Sequence, residues 1–102
     1  LMKDAQWHLA WLKYLKGDYV GSYQAMREIQ KLKKTQKRAW RSFPQDRLTY
    51  WTAMSLLRQG KNSEARPLFE SLAKDPLMGY YSVASIARLS KIQPEVKQQN
   101  LA

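Results

Sequence analysis

Cysteine is absent from the 102-residue sequence, and histidine occurs once, as His8. Without cysteine the chain forms no disulfide and has no thiolate nucleophile, and one histidine excludes a histidine-based triad or metal cluster made by this chain alone. We therefore predict no catalytic, cofactor-binding or metal-binding residues and no cofactor. We interpret His8, which lies on a helix with Trp7 and Trp11, as a partly buried packing residue.

Long apolar runs are also missing. No stretch approaches the roughly 18 consecutive apolar residues that a membrane span needs. The first six residues lack the apolar region of a signal peptide. The sequence thus predicts no membrane span and no targeting segment in this chain.

Basic residues outnumber acidic ones, with 18 Lys and Arg against 8 Asp and Glu and a formal net charge of +10. Apolar residues make up 44% of the sequence and aromatic residues 12%, which is enough to build a core and argues against disorder. A chain of this length forms one domain at most. Because a helical pattern is already present at Trp7, we expect the sequence to be a piece of a longer polypeptide.

The apolar residues recur with the spacing of one helix face, as between Gln6 and Lys16. Strand-like alternation and hairpin dipeptides are missing, so we predict an all-α fold. Short connections at Gly17 and Gly60 make neighbouring helices antiparallel. The predicted segments are a hairpin at about 5–33, a basic connector at about 34–46, a hairpin at about 47–74, a half-hairpin at about 77–91 and a polar tail at 92–102.

Each of these two glycines precedes a candidate helix N-cap. Asp18 can accept a hydrogen bond from a backbone N–H at the start of the second helix, and Asn62 or Ser63 can do so after Gly60.

The two hairpins are related by an internal repeat. Placing Gly17 on Gly60, an offset of 43 residues, aligns them. In both, a small residue allows close helix approach, a bulky residue fills the adjacent space and glycine forms the turn. The aligned pairs are Trp7 with Tyr50, Ala10 with Ala53 and Tyr14 with Leu57.

Hairpins of this kind stack in helical solenoids, where each buries its open face against the next and presents a concave surface. We predict antiparallel helical hairpins that form a fragment of a TPR-like α-solenoid, or superhelix. The last helix would be the first half of a third hairpin. The predicted structural core comprises Trp7, Ala10, Trp11, Tyr14, Tyr50, Trp51, Ala53, Gly60, Ala65, Leu68, Phe69, Tyr80 and Tyr81.

Two parts of this pattern resemble known helical repeats. Gly60, Ala65 and Phe69 resemble the turn glycine, small residue and aromatic residue of the tetratricopeptide repeat, although the offset exceeds its roughly 34 residues. From Leu48 to Leu89, the order of a Tyr-Trp helix, a glycine turn, an Ala-containing helix and a Tyr-Tyr helix resembles the superhelical region of the Slt-type soluble lytic transglycosylases. The stretch from Trp7 to Tyr19 is similar to the preceding hairpin of that family.

The resemblance implies a periplasmic enzyme that cleaves peptidoglycan glycan strands without water and forms a 1,6-anhydro sugar. In that family the superhelix supports a lysozyme-like catalytic domain, whose glutamic acid is followed by serine and later by Gly-Leu-Met-Gln. This chain contains Glu70-Ser71, but no Gly-Leu-Met-Gln follows, and Phe69 and Leu72 flank the dipeptide. We interpret Glu70 as a solvated helix position. The resemblance thus implies a non-catalytic scaffold segment, with the catalytic domain of the same longer polypeptide as its partner.

The positive charge is concentrated between Arg27 and Arg47. If this segment is helical, its cations form a stripe beside Trp40 and Phe43, which could bind peptidoglycan or another anionic polymer through charge and stacking. A solvated connector whose two aromatic residues anchor it to the core would have the same composition. The candidate anion-binding residues are Lys31, Lys34, Lys37, Arg38 and Arg41.

Three functional hypotheses remain open. The first is the transglycosylase scaffold segment, in which basic charge helps the domain lie against the anionic cell wall. The second is a TPR-like protein-protein interaction module that binds a peptide or helix in its concave groove through Tyr14, Tyr19 or Tyr50. The third is a basic helical nucleic-acid-binding domain, whose affinity would fall steeply as salt rises.

Overall fold

The computed structural model describes residues 3–77 and 79–92 and is all-helical over these ranges, which confirms the all-α fold class. Met78 and the predicted polar tail beyond Ile92 lie outside the described residues. The helices are α1 (Lys3–Leu15), α2 (Tyr19–Thr35), α3 (Lys37–Trp40), α4 (Gln45–Arg58), α5 (Asn62–Ala73) and α6 (Tyr80–Lys91).

The α1–α2 and α4–α5 connections are the same type of turn. Gly17 and Gly60 have φ angles of 86° and 81°, in the left-handed region that glycine occupies without a Cβ penalty. The amide of Gly17 donates to the carbonyl of Tyr14, and that of Asp18 to Lys13. The amides of Gly60 and Lys61 donate in the same pattern to Leu57 and Leu56. Both helices therefore end in a Schellman motif.

The two helices that follow these turns begin differently. The Asp18 carboxylate accepts a hydrogen bond of 2.9 Å from the amide of Gly21, which confirms Asp18 as the N-cap of α2. The N-cap of α5 is Lys61, which has no side-chain capping bond, so the prediction of Asn62 or Ser63 is wrong. The Schellman turn places Lys61 in the cap position, because helical geometry resumes directly after it.

The basic connector is folded against the first hairpin. Helix α2 runs to Thr35, and Gln36, with φ −122° and ψ 58°, separates it from the single turn of α3. The proposed continuous stripe from Lys31 to Arg41 is therefore broken at Gln36. Trp40 and Phe43 are 3% and 6% exposed, and their ring centroids lie 5.5 Å apart. Both aromatic side chains thus belong to the core.

The core consists of two adjoining clusters, and the half-buried Trp51 packs against both. One cluster joins α1 and α2 to the connector and the start of α4, around Ala10, Met26, Ile29 and Leu48. The other joins α4, α5 and α6 around Ala53, Met54, Ala65 and Phe69, with Tyr14 of α1 included. Helices α1, α2, α4, α5 and α6 pack in this order, each against the next.

Two residues predicted for the core lie at the surface, Gly60 and Tyr80. Gly60 is exposed because it forms the left-handed turn between α4 and α5. Tyr80, the first residue of α6, is 75% exposed and contacts only Tyr81 among the rings of the described residues. It sits at the helix start, where no neighbouring helix covers it, and the buried positions of α6 are Ser82 and Ser85. The serines are small, which permits close approach of α6 to α5. The predictions of Gly60 and Tyr80 as core residues are wrong.

Candidate functional site

A cleft of about 310 Å³ lies where α1, α4 and α6 meet, and we call it the aromatic groove. The residues that line it are Trp7, Trp11, Arg47, Trp51 and Tyr81. All five side chains are half-buried. The four aromatic ones were predicted as core residues; each packs on the core with one part and leaves another part accessible in the groove.

Helix α1 aligns the rings on the first wall of the groove. Trp7, Trp11 and Tyr14 recur at i, i+4 and i+7, so they share one helix face. The rings of Trp7 and Trp11 lie 6.4 Å apart and within 14° of parallel. The rings of Trp11 and Tyr14 lie 5.6 Å apart and within 3° of parallel. This spacing produces a row of nearly parallel aromatic faces.

Helices α4 and α6 complete the groove through edge contacts. The ring of Trp51 meets that of Trp11 at 4.8 Å and 72°, which is a T-shaped arrangement. Tyr50 connects Trp51 to α6, because its ring lies 5.1 Å from Trp51 and 5.2 Å from Tyr81. Each ring is therefore held by contact with at least one other ring.

Arginine supplies the polar groups of this region. Arg47 lines the groove, and its guanidinium lies 5.7 Å from the ring centre of the buried Phe43. Arg58 donates a hydrogen bond of 3.2 Å to the hydroxyl of Tyr14, and this bond raises the pKa of Arg58 above its usual value. Arg88 donates to the hydroxyl of Tyr50 at 3.5 Å. None of the groove-lining residues is acidic.

The tyrosines proposed as peptide contacts differ in accessibility. Tyr14 and Tyr50 are 9% and 5% exposed, so their rings are core residues, and the proposal that they form the contact surface is wrong. Tyr19 is half-buried, with its ring 5.2 Å from Tyr14. The accessible aromatic surface comes instead from the groove residues. Helical periodicity identified their shared face but not how much of it a neighbouring helix would cover.

The candidate anion-binding residues form a second surface, which we call the basic end: Lys31, Lys34, Lys37, Arg38 and Arg41. All five are exposed. Lys31 forms an ion pair with Glu28 at 3.8 Å, with both side chains largely in solvent, so the pair contributes little stability. The neighbouring Lys33 instead donates a 2.7 Å hydrogen bond to the carbonyl of Phe43. Lys33 therefore fastens the connector to α2.

A second concavity, of about 410 Å³, lies between α2, α4 and α5. Polar side chains such as Arg27, Thr49 and Glu64 dominate its lining. Gln45 donates from one amide nitrogen to Gln30 at 3.1 Å and to Thr49 at 3.0 Å. Gln30, Gln45 and Thr49 are thus joined by hydrogen bonds. The lining of the cavity contains one carboxylate, that of Glu64, and so no pair of carboxylates.

The Glu70-Ser71 dipeptide has a local structural role. Glu70 forms an ion pair of 3.3 Å with Arg66, one helical turn earlier, and Ser71 donates a hydrogen bond of 2.8 Å to the carbonyl of Leu68.

His8 is exposed, so its interpretation as a packing residue is wrong. Over residues 3–77 and 79–92, no three His, Cys, Asp or Glu residues gather in a way that could hold a metal ion.

The helices of the described ranges are too short or too polar to cross a membrane. Comparison of the chain with known protein families, curated proteins and solved structures found no match.

Proposed function

We propose that this chain is a non-catalytic helical scaffold with TPR-like solenoid architecture, a segment of a periplasmic lytic transglycosylase that acts on peptidoglycan glycan strands. The observation that carries the proposal is the repeated hairpin. At the 43-residue offset, Ser22 corresponds to Ala65 and Met26 to Phe69, and all four are 0% exposed. Both hairpins also close on left-handed glycines.

The packing order supports a solenoid. Helices α1, α2, α4, α5 and α6 pack in sequence, each against the next. The exposed large apolar side chains lie on the first two helices and around the last, where adjoining repeats would cover them. They are Leu9, Leu15, Val20, Leu77, Tyr80, Val83 and Ile86.

The residue pattern supports the family assignment within this proposal. The Tyr50-Trp51 pair, the Gly60 turn and the Tyr80-Tyr81 pair occur in the order that resembles the Slt-type superhelix. The chemistry would lie in a separate catalytic domain of the same polypeptide, because Glu70 here is paired with Arg66 on a helix surface. The scaffold would position that domain on the cell wall.

The coding sequence beyond Ala102 tests this proposal. We expect it to encode a lysozyme-like domain that contains a Glu-Ser pair followed by Gly-Leu-Met-Gln. A reading frame that ends, or continues into an unrelated domain, would contradict the transglycosylase assignment.

A second candidate function is a TPR-like interaction module. The aromatic groove favours it, because a preformed and partly accessible aromatic surface suits a binding partner.

The nucleic-acid alternative rests on the five exposed cations of the basic end. Trp40 and Phe43 are buried and offer no stacking surface to bases, which weakens it. Titration with single-stranded DNA at rising salt separates these two functions, since phosphate binding weakens steeply with ionic strength.

A further inference from the structure

The basic end contains most of the uncompensated charge of the chain. Residues 27–47 include eight Lys and Arg and two acidic residues, so this fifth of the sequence has a net charge of +6 out of +10. The five cations of the basic end are all exposed. Among residues 3–77 and 79–92, only Lys31 of these five has a side-chain partner, Glu28 at 3.8 Å. The other four cations are therefore available to an anion outside the chain.

The geometry of the basic end does not suit a nucleic acid. Single strands bind in charged grooves whose aromatic side chains stack on bases. None of the five cations lines the aromatic groove or the cavity between α2, α4 and α5, and the two aromatic residues of this segment, Trp40 and Phe43, are buried. Duplex DNA is read mainly from the N-terminal part of a recognition helix. Here Lys34 lies in the last turn of α2, and Lys37 and Arg38 lie on the single turn of α3.

The arrangement of these cations suits a fluid anionic surface instead. They belong to two helices separated by the break at Gln36, so they form no regular row that matches the fixed spacing of a polymer. Anionic phospholipids diffuse laterally in a bilayer, and their phosphates can therefore gather beneath cations at irregular positions. Clusters of about four to eight Lys and Arg residues are typical of surfaces that bind such lipids. The five cations of the basic end are within this range.

The basic end has no apolar anchor beside its cations. The exposed large apolar side chains of the described ranges lie between Leu9 and Val20 and between Leu77 and Ile86, outside this segment. An anchor would insert into the acyl chains and would hold the protein at high salt. Contact through cations alone is reversible, and it weakens as ionic strength rises.

From these observations we propose that the basic end docks this chain on the surface of a membrane that contains anionic phospholipid. Its lysine and arginine side chains pair with lipid phosphates, and no part of the basic end inserts into the acyl chains. The proposal goes beyond the scaffold function and does not rest on it, because it uses only the charges and exposure of residues 31–41. Docking would hold the scaffold, and any domain joined to it, beside the bilayer.

Sedimentation of the 102-residue chain with lipid vesicles tests the docking. We expect binding to vesicles of phosphatidylcholine with about 30% phosphatidylglycerol in about 50 mM NaCl, and release in about 500 mM NaCl, where the charges are screened. Vesicles of phosphatidylcholine alone should not bind the chain. Inorganic phosphate at constant ionic strength should not displace it from the anionic vesicles. Equal binding to both kinds of vesicle, no binding to either, or displacement by free phosphate would overturn the proposal.

Two matched double variants locate the contact. Lys34→Gln with Lys37→Gln removes two exposed charges from the basic end, and Lys13→Gln with Lys16→Gln removes two exposed charges beside the Gly17 turn. The two sites lie at opposite ends of α2, whose 17 residues span about 25 Å. We expect the first pair to weaken vesicle binding about 20- to 30-fold and the second less than about threefold, with unchanged circular dichroism in both. Equal losses would mean that net charge alone drives binding, and the proposal would fail.

Two other polyanions serve as competing partners in the same assay. Single-stranded DNA and purified peptidoglycan should each bind the chain more weakly than the anionic vesicles at the same salt concentration. Retention on DNA at a salt concentration that releases the chain from vesicles would contradict the proposal in favour of a nucleic acid. Retention on peptidoglycan under that condition would contradict it in favour of the cell wall. A membrane result of either sign leaves the scaffold function to be decided by the coding sequence beyond Ala102.

Discussion

The hairpins α1–α2 and α4–α5 have the same type of turn, but they differ in the buried small residue and in the N-cap of the second helix. Gly17 and Gly60 adopt nearly the same left-handed conformation, whereas the buried small position is Ser22 in one and Ala65 in the other. The carboxylate of Asp18 caps the first hairpin's second helix, and Lys61 provides no such bond. The repeated element is thus the glycine turn with small and bulky buried positions, while the residues that fill them vary.

The bulky position should dominate stability in both hairpins. Met26 and Phe69 correspond at the 43-residue offset, and both are fully buried. We expect Phe69→Ala to lower the free energy of unfolding by about 3–5 kcal/mol and Met26→Ala by about 2–5 kcal/mol, because each leaves a cavity. Urea unfolding of the two variants measures both losses. A loss below about 1 kcal/mol in either hairpin would break their equivalence.

The glycine turns should be equally intolerant of a side chain. A Cβ at Gly17 or Gly60 meets nothing within 4 Å, so the cost of alanine is the left-handed backbone itself. We expect Gly17→Ala and Gly60→Ala each to lower the free energy of unfolding by about 1–2 kcal/mol. Gly79→Ala is the matched control, because Gly79 has φ −71° and open space, and it should change stability by less than about 0.5 kcal/mol. Unequal costs in the two turns would contradict the shared motif.

The N-caps should distinguish the hairpins. Asp18→Ala should cost about 1 kcal/mol, because the amide of Gly21 loses its acceptor. Lys61 has nearly the same backbone angles as Asp18, so Lys61→Asp should raise the free energy of unfolding by about 0.5–1 kcal/mol. A carboxylate at this position could accept from the amide of Glu64, and it would lie at a helix N-terminus, where negative charge is favourable. Thermal unfolding checks both variants, and no gain at Lys61 would contradict the equivalence of the two cap positions.

The small position offers the finest comparison. Ser22 donates a 2.9 Å hydrogen bond to the carbonyl of Ala10, which draws α2 against α1. Ser22→Ala converts this position to the residue of the second hairpin and should lower the free energy of unfolding by at most about 1 kcal/mol. Differential scanning calorimetry can resolve such a change. A larger loss would show that the first hairpin depends on the hydrogen bond of the Ser22 hydroxyl and not only on the small size of the side chain.

Much of the fold could be predicted from the sequence, because periodicity and glycine act locally. The spacing from Gln6 to Lys16 depends on one helix alone, and a left-handed turn requires glycine wherever it occurs. The break at Gln36 was not predicted, because no glycine or proline marks it. It arises as the connector turns to bury Trp40 and Phe43 and as Lys33 binds the carbonyl of Phe43.

The candidate site was harder to predict than the fold. Periodicity placed Trp7, Trp11 and Tyr81 on inward faces, but it could not show that three helices leave a cleft between them. Exposure of Tyr80 likewise depends on what lies beside α6 and not on α6 itself. Arg47 carried no signal beyond its charge, because only the tertiary structure brings it to the aromatic residues. Sites formed between helices depend on packing that local patterns do not encode.

We propose that this chain supports chemistry without performing it. Mass spectrometry of purified peptidoglycan after incubation with the 102-residue chain tests this proposal. We expect an unchanged muropeptide profile, because Glu70 is held by Arg66 on a helix surface and no paired carboxylates occur in the described cavities. Release of 1,6-anhydro-muropeptides by this chain would contradict it.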